Sequence, residues 1–145
     1  MITVELSIEI RRPVEEVFTF VSDPRQTPQW QGAIQGAHVT PEGPPTVGTK
    51  ATLVASFLGV KLEPTFEITA LEPNKSLSMK GSSGPLSVET TWRFEAVGEG
   101  TRLINTLRVE PGGLFKVAGP LLASQLKKQV KGDAQRLKEL LEAQG

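Results

Sequence analysis

The sequence contains no cysteine and only one histidine. Without cysteine, the chain cannot form disulfides, use a thiolate nucleophile or bind a metal through sulfur. A single histidine also excludes a zinc site built from several histidines. The 16 basic and 16 acidic residues leave no net charge. Because nucleic-acid binding needs a basic surface, this balance argues against that function.

Long apolar segments are also missing. No apolar run reaches the roughly 18 residues that a membrane-spanning helix needs, and no signal-like stretch precedes the first predicted strand. We therefore expect a cytoplasmic protein without an integral membrane segment. The chain has 145 residues, of which 38% are hydrophobic. That length fits one domain, spanning 1–145, with a sizeable core.

The first thirty residues predict a strand followed by two short helices. Apolar and polar residues alternate without a break from Ile2 to Ile10, which is the period of a half-buried strand. Pro13 suits the first position of a helix, since its missing N–H would be unpaired there in any case. Asp23 is suited to cap a second short helix that runs to about Trp30.

The rest of the chain predicts six more strands and one long helix. The strands are Ala33–Val39, Thr49–Leu58, Val60–Ala70, Ser76–Gly81, Leu86–Ala96 and Thr101–Glu110. Pro64, inside one of them, indicates an edge position or a bulge. From Gly113 to Gly145, leucines recur at three- and four-residue steps, which predicts an amphipathic helix of about 28 residues. Gly119-Pro120 predicts a kink within it.

This order of elements predicts an α+β fold with a cavity. Successive hairpins form a mostly antiparallel sheet that needs cover on only one face. The sheet would have seven strands and wrap around the long C-terminal helix. A curved sheet and a straight helix do not fill the space between them completely. We therefore expect a cavity there that suits an apolar ligand.

Four short motifs carry a resemblance to a known family. They are R-P-V-E-E-V-F at Arg12–Phe18, D-P-x-x-x-P-x-W at Asp23–Trp30, V-G-T at Val47–Thr49, and the apolar run Leu114–Leu122. In this order the chain resembles the START/birch-pollen-allergen-like (SRPBCC) superfamily, within it the polyketide cyclase/dehydrase and lipid-transport group. The resemblance implies the helix-grip fold. Members carry lipids, bind hormones or polyketides, cyclise polyketides or activate chaperones, so the fold does not select one activity.

The expected ligand-binding residues lie on the inward register of the strands, at the end of the second short helix and on the long helix. Most are hydrocarbon, and each has packing as its ordinary role. Together they predict an apolar pocket formed by Trp30, Leu53, Phe57, Phe66, Met79, Thr90, Trp92, Asn105, Phe115 and Leu122.

Asn105 is the most informative of these residues, because it interrupts an otherwise apolar strand face. A buried amide without partners costs about 1–3 kcal/mol, so Asn105 should bond to protein, water or ligand. Thr90, on the neighbouring strand and the same face, is a candidate partner. The pair would then orient one polar group of a mostly apolar ligand.

Catalytic chemistry has little support in the sequence. His38 is the one side chain that titrates near neutrality without help, but its strand has too weak a pattern to fix its direction. General-base catalysis would also need a carboxylate beside it, and the strand carboxylates are predicted to face outward. No phosphate-binding glycine loop or catalytic triad is present. We expect no metal, no cofactor and no catalytic residue.

These observations favour a binding or carrier protein for a hydrophobic or amphipathic small molecule, acting as a monomer or weak homodimer. One alternative is an enzyme of the polyketide cyclase or dehydratase type, acting on an aromatic or polyketide substrate by orienting it. Another is an interaction module associated with a chaperone or a larger enzyme.

Overall fold

The computed structural model describes residues 2–40, 43–57, 59–83, 86–110, 112 and 119–143. The helices are α1 (Val14–Val21), α2 (Thr27–Trp30, preceded by a 3-10 turn at Pro24–Gln26) and α3 (Gly119–Ala143). The strands are β1 (Ile2–Ile10), β2 (Ile34–Thr40), β3 (Lys50–Phe57), β4 (Val60–Leu62), β5 (Thr65–Glu72), β6 (Ser76–Ser83), β7 (Leu86–Val97) and β8 (Gly100–Glu110).

The strands form one antiparallel sheet in the order β1-β8-β7-β6-β5-β3-β2. This seven-strand path, the α+β class and the long C-terminal helix confirm the predicted helix-grip architecture. The long pairings β1·β8 and β7·β8 run without a register shift, so the alternation read from the sequence places alternate residues on one face. That inner face carries Leu103, Asn105 and Leu107.

One predicted strand is wrong in its extent. The stretch Val60–Ala70 is not continuous, because it divides into β4, which pairs with β3, and β5, which joins the main sheet. The interruption falls at Pro64, which has no N–H to donate to a neighbouring strand. Its carbonyl oxygen instead accepts a hydrogen bond of 2.8 Å from the Leu53 N–H.

The segment after β1 begins as predicted. Asp23 caps the 3-10 turn, since its Oδ1 accepts a 3.0 Å hydrogen bond from the Arg25 N–H. In α1, Val17, Phe18 and Val21 are buried, and the Phe18 ring meets Phe94 edge to face at 5.1 Å. The second predicted helix is shorter than expected, because its first three residues take the tighter 3-10 form.

Helix α3 lies against β1 and covers the inner face of the sheet. Its buried residues Leu122, Ala134, Leu137 and Leu141 follow the helical period of the sequence. Pro120 lies in the first turn, where a helix tolerates proline. The part of the predicted helix before Gly119, which would make Gly119-Pro120 a kink, lies outside the described residues.

Polar contacts of Glu142 hold the end of α3 to the end of β1. Its carboxylate accepts hydrogen bonds from the Arg11 N–H at 2.9 Å and from Lys138 Nζ at 2.7 Å. The same Lys138 Nζ donates to the Glu9 carbonyl oxygen at 2.7 Å. The Lys138 contact and then the Arg11 N–H lower the pKa of Glu142 from 4.5 to about 2.

Replacing Glu142 with glutamine should lower the free energy of unfolding by about 1 kcal/mol near neutral pH, because charge-assisted hydrogen bonds become neutral ones. A lowered pKa means that this stability is fully present above pH 4.5 and is lost as the pH falls toward about 2. Denaturant unfolding across that range should therefore show the two proteins converging in acid. Glu139→Gln, one turn away, is the control, because within the described residues Glu139 accepts a hydrogen bond from Gln135 alone. A pH-independent difference would contradict this interpretation.

Candidate functional site

A cavity of about 200 Å³ lies between the inner face of the sheet and α3. The buried core of the described chain forms two clusters, and the cavity wall takes residues from both. Trp30, Trp92 and Leu103 belong to the larger cluster, whereas Val109 and Leu122 belong to the smaller. The cavity is thus the space that the curved sheet and the helix leave between them.

Seven of the ten predicted ligand-binding residues lie in the cavity wall, and whether they contact a ligand stays a prediction. These seven are Trp30, Leu53, Phe66, Thr90, Trp92, Asn105 and Leu122. Met79 lies elsewhere, because it packs against the larger core cluster instead of facing the cavity. The side chain of Phe57 and the whole of Phe115 lie outside the described residues.

Phe66 reaches the wall because Gly81 stands opposite it on the next strand. The two residues are paired in the register of β5 and β6. A Cβ at Gly81 would stand 2.8 Å from a Phe66 ring atom and 2.5 Å from the Thr65 carbonyl oxygen. Because both separations are shorter than van der Waals contact, any larger residue at this position would push the Phe66 ring out of place.

Two tryptophans form an aromatic part of the wall. The rings of Trp30 and Trp92 meet edge to face, with centroids 5.4 Å apart and planes at 75°. Such pairs contribute about 0.5–1.5 kcal/mol beyond the area that they bury. The Arg136 Nη1 donates to the Trp30 carbonyl oxygen at 3.3 Å, which ties α2 to α3. Within the described residues, Trp30 Nε1 is buried without a hydrogen-bond acceptor.

Asn105 supplies the polar group on the sheet side of the cavity. Its Nδ2 donates to the Thr90 Oγ1 at 2.9 Å and to the Thr91 carbonyl oxygen at 3.1 Å. Asn105 is 5% exposed, and Thr90 is the partner that the sequence suggested. The Thr91 carbonyl can only accept, so the amide nitrogen must be the atom beside it. The orientation of the amide is therefore determined by the backbone.

Asp133 is a charged residue of the wall that the sequence reasoning missed. It lies in the cavity wall on α3, together with Gln129 on the same helix and Gln31 after α2. Its Oδ1 accepts a 3.0 Å hydrogen bond from the Gly32 N–H and lies 3.9 Å from the Arg136 Nη1. Burial raises the pKa of Asp133, and this effect outweighs the lowering by Gly32 and Arg136. Among the described residues of the wall, Asp133 is thus the one titratable group.

Asp133→Asn should increase the stability of the protein at neutral pH. Since the pKa of Asp133 is raised above 3.8 by folding, ionisation of this carboxyl costs the folded state stability as the pH rises above 3.8. Asparagine keeps an oxygen that can accept the Gly32 N–H. Thermal unfolding should give a higher midpoint than wild type at pH 7, and the two should converge below pH 3.8. Glu139→Gln, exposed on the same helix, is the control, and a variant less stable than wild type at pH 7 would refute the prediction.

His38 does not belong to the cavity. It lies exposed on β2, opposite Thr52 of β3, and is absent from the wall. The open question of its direction is therefore resolved toward the surface. Across the part of the chain that the structure describes, no group of three or more metal-ligating side chains is found. None of the described helices is both long and apolar enough to cross a membrane.

The sequence matches, over residues 1–142, the profile of the family described as polyketide cyclase / dehydrase and lipid transport. The chain belongs to this family. An uncharacterised protein of Mycobacterium tuberculosis is 29% identical over 116 residues, which are 78% of this chain and 50% of that protein. The chain thus spans about half the length of the curated relatives that it matches.

Solved structures of other proteins have the same fold as this chain. A START superfamily protein from Mycobacterium smegmatis superposes with a TM-score of 0.85 at 19% identity, with both chains covered completely. A protein from Thermus thermophilus gives a TM-score of 0.72 at 22% identity, covering 93% of this chain and 96% of that one. At these identities the likeness concerns the fold alone.

Proposed function

We propose that this chain is a START-like ligand-binding domain, spanning 1–145, that holds a compact and mostly apolar small molecule between the sheet and α3. The observation that carries the proposal is the cavity of about 200 Å³ whose wall is hydrocarbon except for a few placed polar groups. That combination is typical of small-molecule sites. A dry apolar cavity of about 150 Å³ already accepts benzene, so this one suits a somewhat larger molecule of one or two rings.

The arrangement of the wall also supports binding rather than simple imperfect packing. Its polar groups occupy different elements, with Asn105 and Thr90 on the sheet and Asp133 on α3. Apolar burial would supply most of the affinity, at about 25 cal/mol per Å² before the costs of association. The polar groups would then determine which way round the ligand lies. A carrier needs affinity and a defined ligand orientation, and it needs no catalytic group.

Intrinsic fluorescence offers a direct test, because the protein has two tryptophans and no tyrosine. Both tryptophans line the cavity. We expect compact molecules that do not absorb near 280 nm, such as borneol, 1-adamantanol and cyclodecanol, to change the emission saturably and with 1:1 stoichiometry. Native mass spectrometry of protein purified from its own host should show a bound small molecule. If no member of the panel binds and the host-purified protein carries nothing, the proposal fails.

A second function, proton transfer on a bound substrate, is favoured by one specific observation. Asp133 is a carboxyl group in the cavity wall with a raised pKa, and a general acid or base needs such tuning. It would act alone, because His38 lies on the surface and no second carboxyl group lines the described wall. Retained binding but lost turnover in Asp133→Asn, on a substrate found in the host extract, would support the enzyme.

A further inference from the structure

The donors and acceptors of the Asn105–Thr90 pair are assigned by their neighbours. Both contacts of the Asn105 amide are made by Nδ2, which uses its two hydrogens on Thr90 Oγ1 and the Thr91 carbonyl oxygen. The Asn105 Oδ1 has no hydrogen-bond donor within the described residues, and an amide oxygen can only accept. The atom of Asn105 that remains available to a ligand is therefore Oδ1, a hydrogen-bond acceptor.

Thr90 completes this feature with a donor. Its Oγ1 already accepts a hydrogen from Asn105, so its own O–H hydrogen remains for another partner. Across the described residues, no acceptor for that hydrogen is present. Both side chains lie in the cavity wall, on neighbouring strands. The pair thus offers one free acceptor and one free donor within a single hydrogen-bonded unit.

The charge of the wall restricts the ligand further. Among the described residues of the wall, Asp133 is the one ionisable side chain, and no lysine, arginine or histidine is present. Arg136 lies beside Asp133, but its side chain is half exposed and donates to the Trp30 carbonyl oxygen. A ligand carboxylate would enter an apolar cavity without a positive partner, and burying an unpaired charge is very costly.

We infer that the cavity selects neutral, hydroxyl-bearing ligands, such as compact phenols and alcohols, over ethers, hydrocarbons and carboxylates of the same shape. This inference rests on the proposed function. One hydroxyl group can donate to the Asn105 Oδ1 and accept from the Thr90 hydroxyl at the same time. An ether can only accept, and a carboxylate would place its negative oxygens against the Asn105 Oδ1. Fatty-acid anions are therefore poor ligands.

Four naphthalenes of similar shape separate these possibilities: 2-naphthol, 2-methoxynaphthalene, 2-methylnaphthalene and 2-naphthoate. Equilibrium dialysis against wild-type protein at pH 7 should show 2-naphthol binding roughly 5- to 10-fold more tightly than the ether, the value of about one hydrogen bond. The hydrocarbon should bind no better than the ether. The anion should bind at least about tenfold more weakly than 2-naphthol.

Three variants assign the selectivity to the pair. Thr90→Val and Asn105→Leu keep the shape of the side chain but remove its hydrogen bonding. Asn105→Leu removes the acceptor to which 2-naphthol can donate and the ether cannot, so it should reduce the ratio of 2-naphthol to ether affinity to about one. Thr90→Val removes the donor from which both ligands accept, so it should weaken 2-naphthol and the ether alike and leave the hydrocarbon unchanged. Two variants are used because Asn105 also bonds to the Thr91 backbone, and its loss could affect folding. Thr91→Val is the matched control, since the Thr91 hydroxyl contacts Ser78 and is not part of the cavity wall.

The outcomes distinguish this inference from the proposed function. Equal binding of 2-naphthol and its ether, or tightest binding of 2-naphthoate, would overturn the hydroxyl selectivity and leave a cavity that binds apolar molecules. A preference for 2-naphthol that survives in Asn105→Leu, or affinities for 2-naphthol and the ether that are unchanged in Thr90→Val, would also overturn it. If neither these probes nor the non-absorbing panel binds at all, the proposed function fails and the inference fails with it.

Discussion

Replacing Trp92 with alanine is expected to lower the free energy of unfolding by about 3–5 kcal/mol, a large part of the stability of a domain of this size. Trp92 is 9% exposed and belongs to the larger core cluster. It also meets Trp30 edge to face and forms part of the cavity wall. Truncation would join a new void to an existing one, so little collapse could compensate. Denaturant unfolding followed by far-UV circular dichroism measures the loss.

Two variants on the same strand make the Trp92 result interpretable. Trp92→Phe keeps an aromatic ring against Trp30 and should lose clearly less stability than Trp92→Ala. Val97→Ala removes methyl groups from a residue that is 40% exposed, so its unfolding free energy should stay within about 0.5 kcal/mol of wild type. A loss below about 1 kcal/mol for Trp92→Ala would mean that the packing of this ring contributes little to the stability of the core.

The strands were predictable because their chemistry repeats at the period of the backbone. In β8, Leu103, Asn105 and Leu107 fall two residues apart and all face the cavity. Asn105 stood out in the sequence for the same reason, since it is a polar residue at an apolar position. Its oriented amide was not predictable, because that depends on the Thr91 carbonyl of another strand. The sequence indicated that Asn105 needs a partner and did not indicate which atom remains free.

Asp133 was missed because a helix does not alternate as clearly as a strand. Asp133 and Ala134 are adjacent at one step of the apolar stripe of α3, and either could have faced the sheet. The structure places both in the wall, with Ala134 buried and Asp133 bonded to the Gly32 N–H. Gly32 lies 101 positions earlier in the chain. Contacts of this range depend on how the helix crosses the sheet, which local periodicity does not determine.

Met79 and Pro64 are two residues whose position relative to the cavity differs from what strand alternation alone predicts. Met79 has the inward register that the alternation predicted, but it packs into the larger core cluster. Pro64, which follows one short strand and precedes another, lies in the cavity wall itself. β5 and β6 also change register between Ile68 and Ala70, next to the pairing of Ile68 with Met79. A prediction that treats each strand as straight and continuous assigns a residue to the correct face of the sheet, but it does not determine whether that residue contacts the cavity or the core.

Filling the cavity should abolish ligand binding and leave the fold intact. Ala55 is 6% exposed, lies on β3 and forms part of the wall, so Ala55→Phe would direct a ring into the space that the ligand needs. Affinity for 2-naphthol should fall on the order of 100-fold, because the ring and the ligand cannot occupy the same volume. Overpacking a full core costs about 1–3 kcal/mol, but here the added atoms enter a void. The unfolding midpoint should therefore change little or rise.

Ala96→Phe is the matched control, because Ala96 is exposed on β7 and the same substitution there adds a ring to the surface. Its affinity for 2-naphthol should equal that of wild type. If Ala55→Phe is folded and binds 2-naphthol as tightly as wild type does, the ligand occupies another part of the molecule. If it loses binding and keeps its thermal midpoint, the void is a binding site, since removing the space removes the ligand without harming the protein around it.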